Sequence, residues 1–319
     1  MNRRRLLQLG SLAWASAQAQ DHAGLLARLE LPKGKIRLVI DSDAYNEVDD
    51  AFAIAHALLS PERCEVEAIY AGPFVNKRAE TPKEGMQQSY DEILKVLDKL
   101  GQKATVLKGS TRYLRSDSDG PRSPAVDDLI ERALAATEPL WVASLGCPTN
   151  IAAALIAEPR IVDKISVIWI GGQQHHSASA NDYNIGQDYF ASKTLFDSGV
   201  ALVEVLGYLI SEQMRTTTWE LERFMKGRSP LADYLYETVV GYYNDRREGE
   251  DHAWSKPIWD LAVSGFLLNP EWVATQITPS PILRPDITWD HDASRHPIRV
   301  STRVERDAIF TDLFRKLAA

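Results

Sequence analysis

Residues 36–50 read IRLVIDSDAYNEVDD. Ile36 to Ile40 form an apolar, β-branched run of strand length, and the ten residues that follow carry Asp41, Asp43, Glu47, Asp49 and Asp50. Five carboxylates this close repel one another, so a buried strand that runs into them needs a compensating feature. Two readings account for it. In one, Asp49 and Asp50 stand at the positive end of the next helix and the rest is a solvated acidic turn. In the other, hard oxygen donors with no Cys or His among them gather around Ca²⁺ or Mg²⁺.

Outward from this stretch, strand-length apolar runs recur at 65–71, 104–107, 140–145, 165–170 and 201–206, and helical periodicity occupies 49–60, 84–100, 124–137, 149–157, 188–198 and 230–245. Strand–helix alternation with near-continuous apolar strands predicts an α/β fold, a doubly wound, mostly parallel Rossmann-like sheet covered on both faces. Such sheets bind ligands beyond the carboxyl ends of their strands, which is where Asp41 to Asp50 fall if 36–40 is the first, central strand. The polar stretch 115–124 is a loop, and 211–268, rich in Trp and Tyr, is expected to form a helical cap over that edge.

Composition narrows the function. The 319 residues are 45% hydrophobic and 25% charged, with material for one sizeable core. The net charge is −8; Arg3, Arg4 and Arg5 contribute +3, leaving −11 from Gln20 onward, which argues against nucleic acid or an anionic membrane as partner. Those arginines open a segment with a basic start, an apolar stretch too short to span a bilayer and Ala17-Gln18-Ala19 as a small-x-small cleavage site. Residues 1–19 are therefore expected to be a signal peptide for export by the Sec or twin-arginine route, and 20–319 a single periplasmic or secreted domain with no membrane segment. A frayed amphipathic N-terminus is the competing reading. Cys64 and Cys147, the only cysteines, are expected to be free thiols.

The motifs, taken together and in order, resemble the inosine-uridine preferring nucleoside hydrolases. Asp41-Ser42-Asp43 and Asp49-Asp50-Ala51 are similar to that family's Asp-x-Asp…Asp-Asp-Ala signature. LGCPTNIAAAL (145–155), ISVIWIGG (165–172), NDYNIGQDYFASKTLFDSG (181–199), PIWDLAV (257–263) and VERDAIFTDLFRKL (304–317) resemble its later elements, so the likeness spans about 35–317. It implies the nucleoside hydrolase fold and hydrolysis of the N-glycosidic bond of a ribonucleoside or related riboside. It also implies a Ca²⁺ held by Asp43, Asp50, Asp260 and the carbonyl of Thr149, with Asp43 as general base toward the water in the ion's shell. Asp49 and Asn184 would hold the ribose, with Asp182 in place of the family's Glu. A small-molecule riboside is the implied partner, and a homodimer or homotetramer is compatible with the reading.

Three departures bear on the substrate. Five residues separate Asp43 from Asp49 where the family has three, which brings Asn46 and Glu47 toward the site. Pro73 stands where the family has Asn, with Asn76 the nearest amide. Trp259 replaces the His before the last metal-binding Asp; it can stack on a base but donates no proton in catalysis. Other candidate donors to the leaving group are His175, His176, Asp251 and His252. Each residue has a duller reading: Asp260 as an acid at a helix start, Thr149 and Asn150 as helix caps, Asp182 and Asn184 as turn residues, Asp41 as an acceptor of backbone N–H groups. A non-catalytic periplasmic riboside-binding protein of the same fold is the main alternative. A haloacid-dehalogenase-like phosphotransferase fits less well, because Tyr45 stands where that family has Thr or Val.

Overall fold

The computed structural model describes residues 22–245 and 253–319; residues 1–19, Asp251 and His252 lie outside them. The six expected strands form as β1 (Ile36–Ser42), β2 (Cys64–Ala71), β3 (Val106–Lys108), β4 (Leu140–Ser144), β5 (Ile165–Ile170) and β6 (Ala201–Val205). Further along the chain come β7 (Arg215–Thr216), β8 (Lys256–Pro257), β9 (Val273–Pro279), β10 (Ile282–Leu283), β11 (Trp289–Asp290) and β12 (Pro297–Val304). The main sheet has eight strands in the order β3-β2-β1-β4-β5-β6-β12-β9. All its pairings are parallel except β12 with β9, which is antiparallel at one edge.

β1 pairs with β2 on one side and β4 on the other, so the strand order reverses there and a crevice opens at the carboxyl ends of β1 and β4. β1, β4, β5 and β6 are almost wholly buried, as continuous apolar strands between two helical layers must be. The sequence analysis did not anticipate β9 and β12. Their residues, VATQITP and PIRVSTRV, interleave Thr, Gln, Ser and Arg with apolar side chains because β9 at the edge and β12 beside it are only partly covered.

Two helices set the chemistry. Asp50–Leu58 (DAFAIAHAL) is buried at every residue but its last, and Leu261–Leu268 (LAVSGFLL) likewise. A helix apolar all round must pack on all sides, and these two pack against each other. Their N-termini thereby converge beside the end of β1, bringing Asp49, Asp50 and Asp260 together across more than 200 residues of chain. The segment 211–268 is only partly helical: Thr218–Phe224, Pro230–Asn244 and Leu261–Leu268 are helices, and β7 and β8 make a short antiparallel ribbon. Among the described residues no helix is long and apolar enough to cross a membrane. Cys64 and Cys147 are both free and buried.

Candidate active site

At the carboxyl edge of the sheet lies a cavity of about 370 Å³ whose wall includes Asp43, Asp49, Asp50 and Asp260. One carboxylate oxygen each of Asp49, Asp50 and Asp260 lies within 4.8 Å of the others. Asp43 faces the same space, and its Oδ2 is buried without a hydrogen-bond partner. Ser42 Oγ donates to Asp50 Oδ1 at 2.5 Å. Burial, reinforced by mutual repulsion, drives the Asp43 and Asp260 carboxyls well above the usual range. Burial also pushes Asp49 up to about 7, against the opposing pull of the Lys256 ammonium, and Asp50 up to about 6, against the Ser42 hydrogen bond.

Helix capping does not explain these acids. Asp49 and Asp260 occupy the position before their helices, but neither side chain accepts a capping hydrogen bond; both are buried and line the cavity instead. An unpartnered buried oxygen beside three converging carboxylates, with no His or Cys in the group, fits a hard divalent cation bound through oxygen. Gly146, just beyond β4, makes room for this arrangement: a Cβ there would fall 2.5 Å from Asp43 Cγ. Gly146→Ala is therefore expected to displace the Asp43 carboxylate and lower turnover at least tenfold while the protein still folds cooperatively. Steady-state kinetics alongside a thermal melt checks it, and full activity in the variant would show that Asp43 tolerates the shift.

Two expectations are corrected. Asp41, fully buried and pushed up to about 7 by that burial, accepts the side-chain amide of Asn150 at 2.7 Å rather than a backbone N–H. Thr149 and Asn150 do not cap the helix Thr149–Ala157; the Thr149 hydroxyl donates to Asp188 at 2.8 Å, and Asn150 Oδ1 accepts from the Ser110 backbone. Thr149 is buried and is not on the cavity wall, while its neighbour Asn150 tethers the end of β1 to the loop after β3.

The remaining candidates divide clearly. Asn46, Glu47, Asn76, Asp182, Asn184 and Trp259 all line the cavity. Asn76 donates to the Asn46 carbonyl and side chain at 3.0 and 2.8 Å, and Glu47 accepts from Tyr242 at 2.7 Å and Lys256 at 2.6 Å, so the inserted residues are held from both sides. Asp182, pushed up to about 7 by burial, accepts from the backbone of Ile185 and Gly172 and caps the short helix Tyr183–Gln187, so the turn reading holds for its local role. Asn184 donates its amide to the carbonyls of Leu145 and Ile170, which leaves its side-chain oxygen without a partner among the described residues. His175 and His176 are not on the wall; His175 instead pairs with buried Glu204 at 2.7 Å, and His176 is exposed.

Sequence reasoning missed Lys77, Arg78, Tyr183 and Tyr208, which also line the cavity, and Lys256, which anchors Glu47. Tyr208 meets Trp259 edge-on at 5.8 Å, forming an aromatic corner. A signal for it existed: Leu206-Gly207-Tyr208 directly follows β6, at the ligand-binding ends of the strands.

With this geometry in view, comparison with known proteins is direct. Residues 38–311 match the family model of the inosine-uridine preferring nucleoside hydrolases. The pyrimidine-specific ribonucleoside hydrolase RihA of Klebsiella pneumoniae is 27% identical over 267 residues, 75% of this chain and 81% of that protein. Its counterpart in Escherichia coli O7:K1 is 26% identical over 256 residues, 71% of this chain and 78% of that protein. Among solved structures, a plant nucleoside hydrolase aligns with a TM-score of 0.73 at 24% identity, covering 90% of this chain and all of that one. A purine-preferring ribonucleoside hydrolase from Gardnerella vaginalis aligns with a TM-score of 0.71 at 24% identity, covering 88% and 98%. The converging aspartates thus sit within a sheet and a sequence shared with these enzymes, and the chain belongs to the inosine-uridine preferring nucleoside hydrolase family of N-ribohydrolases.

Proposed function

We propose that the protein cleaves the N-glycosidic bond of ribonucleosides by water, with Asp43 as general base and a divalent cation, Ca²⁺ in the family it belongs to, held by Asp43, Asp50 and Asp260 with Asp49 close by. The observation that carries this reading is the unpartnered, buried Asp43 Oδ2 facing the three clustered carboxylates in a family-matched chain. When bound, the cation offsets the clustered negative charge and makes a water in its shell more acidic. Asp43 takes the proton as the water oxygen bonds to the anomeric carbon; the bond to the base nitrogen breaks and its electron pair leaves with the base. Positive charge building on the sugar is stabilised by the carboxylates that surround it.

Asp49 accepts from a ribose hydroxyl, and the free side-chain oxygen of Asn184 accepts from another. Trp259 and Tyr208 offer the base a stacking wall. Trp259, which lines the cavity where the family has His, donates no proton to the leaving group, so an activated aryl riboside is expected to outpace inosine or adenosine. The basic and apolar segment 1–19 supports a periplasmic or secreted location.

A substrate panel tests the reading. Uridine is expected to release ribose, and 2′-deoxyuridine to react with kcat/KM lower by about 10²-fold or more, because losing a hydroxyl leaves a buried acceptor unpaired. Equal rates would remove Asp49 and Asn184 from sugar recognition.

A further inference from the structure

The floor of the cavity is acidic, but one wall is not. Lys77 and Arg78, on the loop after β2, line it next to Asn76. Neither forms an ion pair among the described residues. Arg78 Nη1 donates to the carbonyls of Tyr45 at 3.0 Å and Glu47 at 3.2 Å, and the guanidinium lies 5.0 Å over the Tyr45 ring. A guanidinium has five N–H donors, so most of this fork has no protein acceptor, although its position is set by the inserted loop. Lys77 is exposed and makes no hydrogen bond.

These cations do not serve to neutralise the acidic floor. Lys256 has that position: it is buried, 2.6 Å from Glu47, and lowers the Asp49 carboxyl against burial. Among the described residues these two adjacent cations have no ion-pair partner, so the cavity carries a positive wall as well as an acidic floor. A ligand completes the match if it is bipolar, with a ribose on the carboxylates and a negative group at the wall.

We propose that the preferred substrate is a riboside carrying an anionic group, a carboxylate or a phosphate, bound by Lys77 and the preset fork of Arg78. This rests on the ribohydrolase reading and names the substrate class for the same cavity. The negative group is either on the base or at the 5′ position of the sugar, and the chemistry of recognition is shared.

The test compares uridine, orotidine, which carries a carboxylate on the base, and uridine 5′-monophosphate, in the wild type and in Lys77→Gln. One anionic substrate is expected to show kcat/KM about tenfold above uridine, through a lower KM, with the advantage shrinking as ionic strength rises. The ratio of anionic to neutral kcat/KM is expected to fall about fivefold to tenfold in Lys77→Gln, and Arg78→Lys, which keeps the charge but not the fork, to lower it as well. Whichever anion gains identifies the position of the group. Uridine cleavage with no anionic advantage, or a ratio that Lys77→Gln does not move, would overturn the proposal and leave the ribohydrolase reading standing. If none of the three is cleaved, equilibrium binding decides: tighter binding of an anionic probe, lost in Lys77→Gln, supports the charged wall, and equal binding of all three overturns it.

Discussion

Asp43→Asn is expected to lower kcat by about 10² to 10⁴ at saturating cation while leaving the fold intact, the usual range for removing a general base. The substitution preserves shape but removes both the negative charge and the ability to take a proton, which is why turnover is compared at saturating cation. The structure makes it a clean experiment, because Asp43 Oδ2 has no hydrogen bond to lose. It also gives the variant a second readout. Asp43 contributes to the repulsion that raises Asp260, so the neutral amide is expected to stabilise the cation-free protein even as it disables the enzyme. A melt of the chelated variant against the chelated wild type, together with turnover, separates a catalytic group from a structural one. Unchanged turnover would move the base elsewhere in the cluster.

Chelation is expected to abolish activity and to lower Tm by on the order of 5–10 °C, since a cation present at 100 to 1,000 times its Kd adds roughly 3–4 kcal/mol to the stability of a domain this size. The cation-free protein should also carry a distinctive pH dependence. Asp41 and Asp49 are pushed up to about 7 and Asp50 up to about 6, against an unfolded value of about 3.9. Between about pH 4 and 7 the folded state therefore binds more protons than the unfolded one, so chelated protein loses stability as pH rises through that window. Bound cation favours the charged carboxylates, so the Tm gap between loaded and chelated protein widens from pH 5 to pH 8. Thermal melts at both pH values check this, and active protein free of divalent cation by elemental analysis would refute the metal requirement.

Much of the site was legible because its residues follow rules of position along the chain. Strands β1, β4, β5 and β6 announced themselves as apolar runs, since a strand covered on both faces has no polar side to interrupt it. Asp41 to Asp50 were identifiable as a ligand edge because they follow such a strand. Strands β9 and β12 escaped, since partial exposure of the last two strands of the sheet admits Thr, Ser and Arg and weakens the apolar pattern. Asp182 shows how one residue can satisfy two readings, capping a helix while lining the cavity.

The sequence by itself determined the fold class and, through motifs in series, the family and the aspartates to watch. Only the tertiary structure decided which groups meet. Asp260 reaches Asp49 and Asp50 because two almost wholly buried helices pack on one another and bring their N-termini together, a packing that no local pattern encodes. The same holds for the exclusion of His175, drawn instead to a buried Glu204, and for Lys77 and Arg78, whose place on the wall comes from where the loop after β2 folds against the inserted residues. Spacing along a chain specifies what an element is; burial between elements specifies which side chains face the same cavity and are left without partners there.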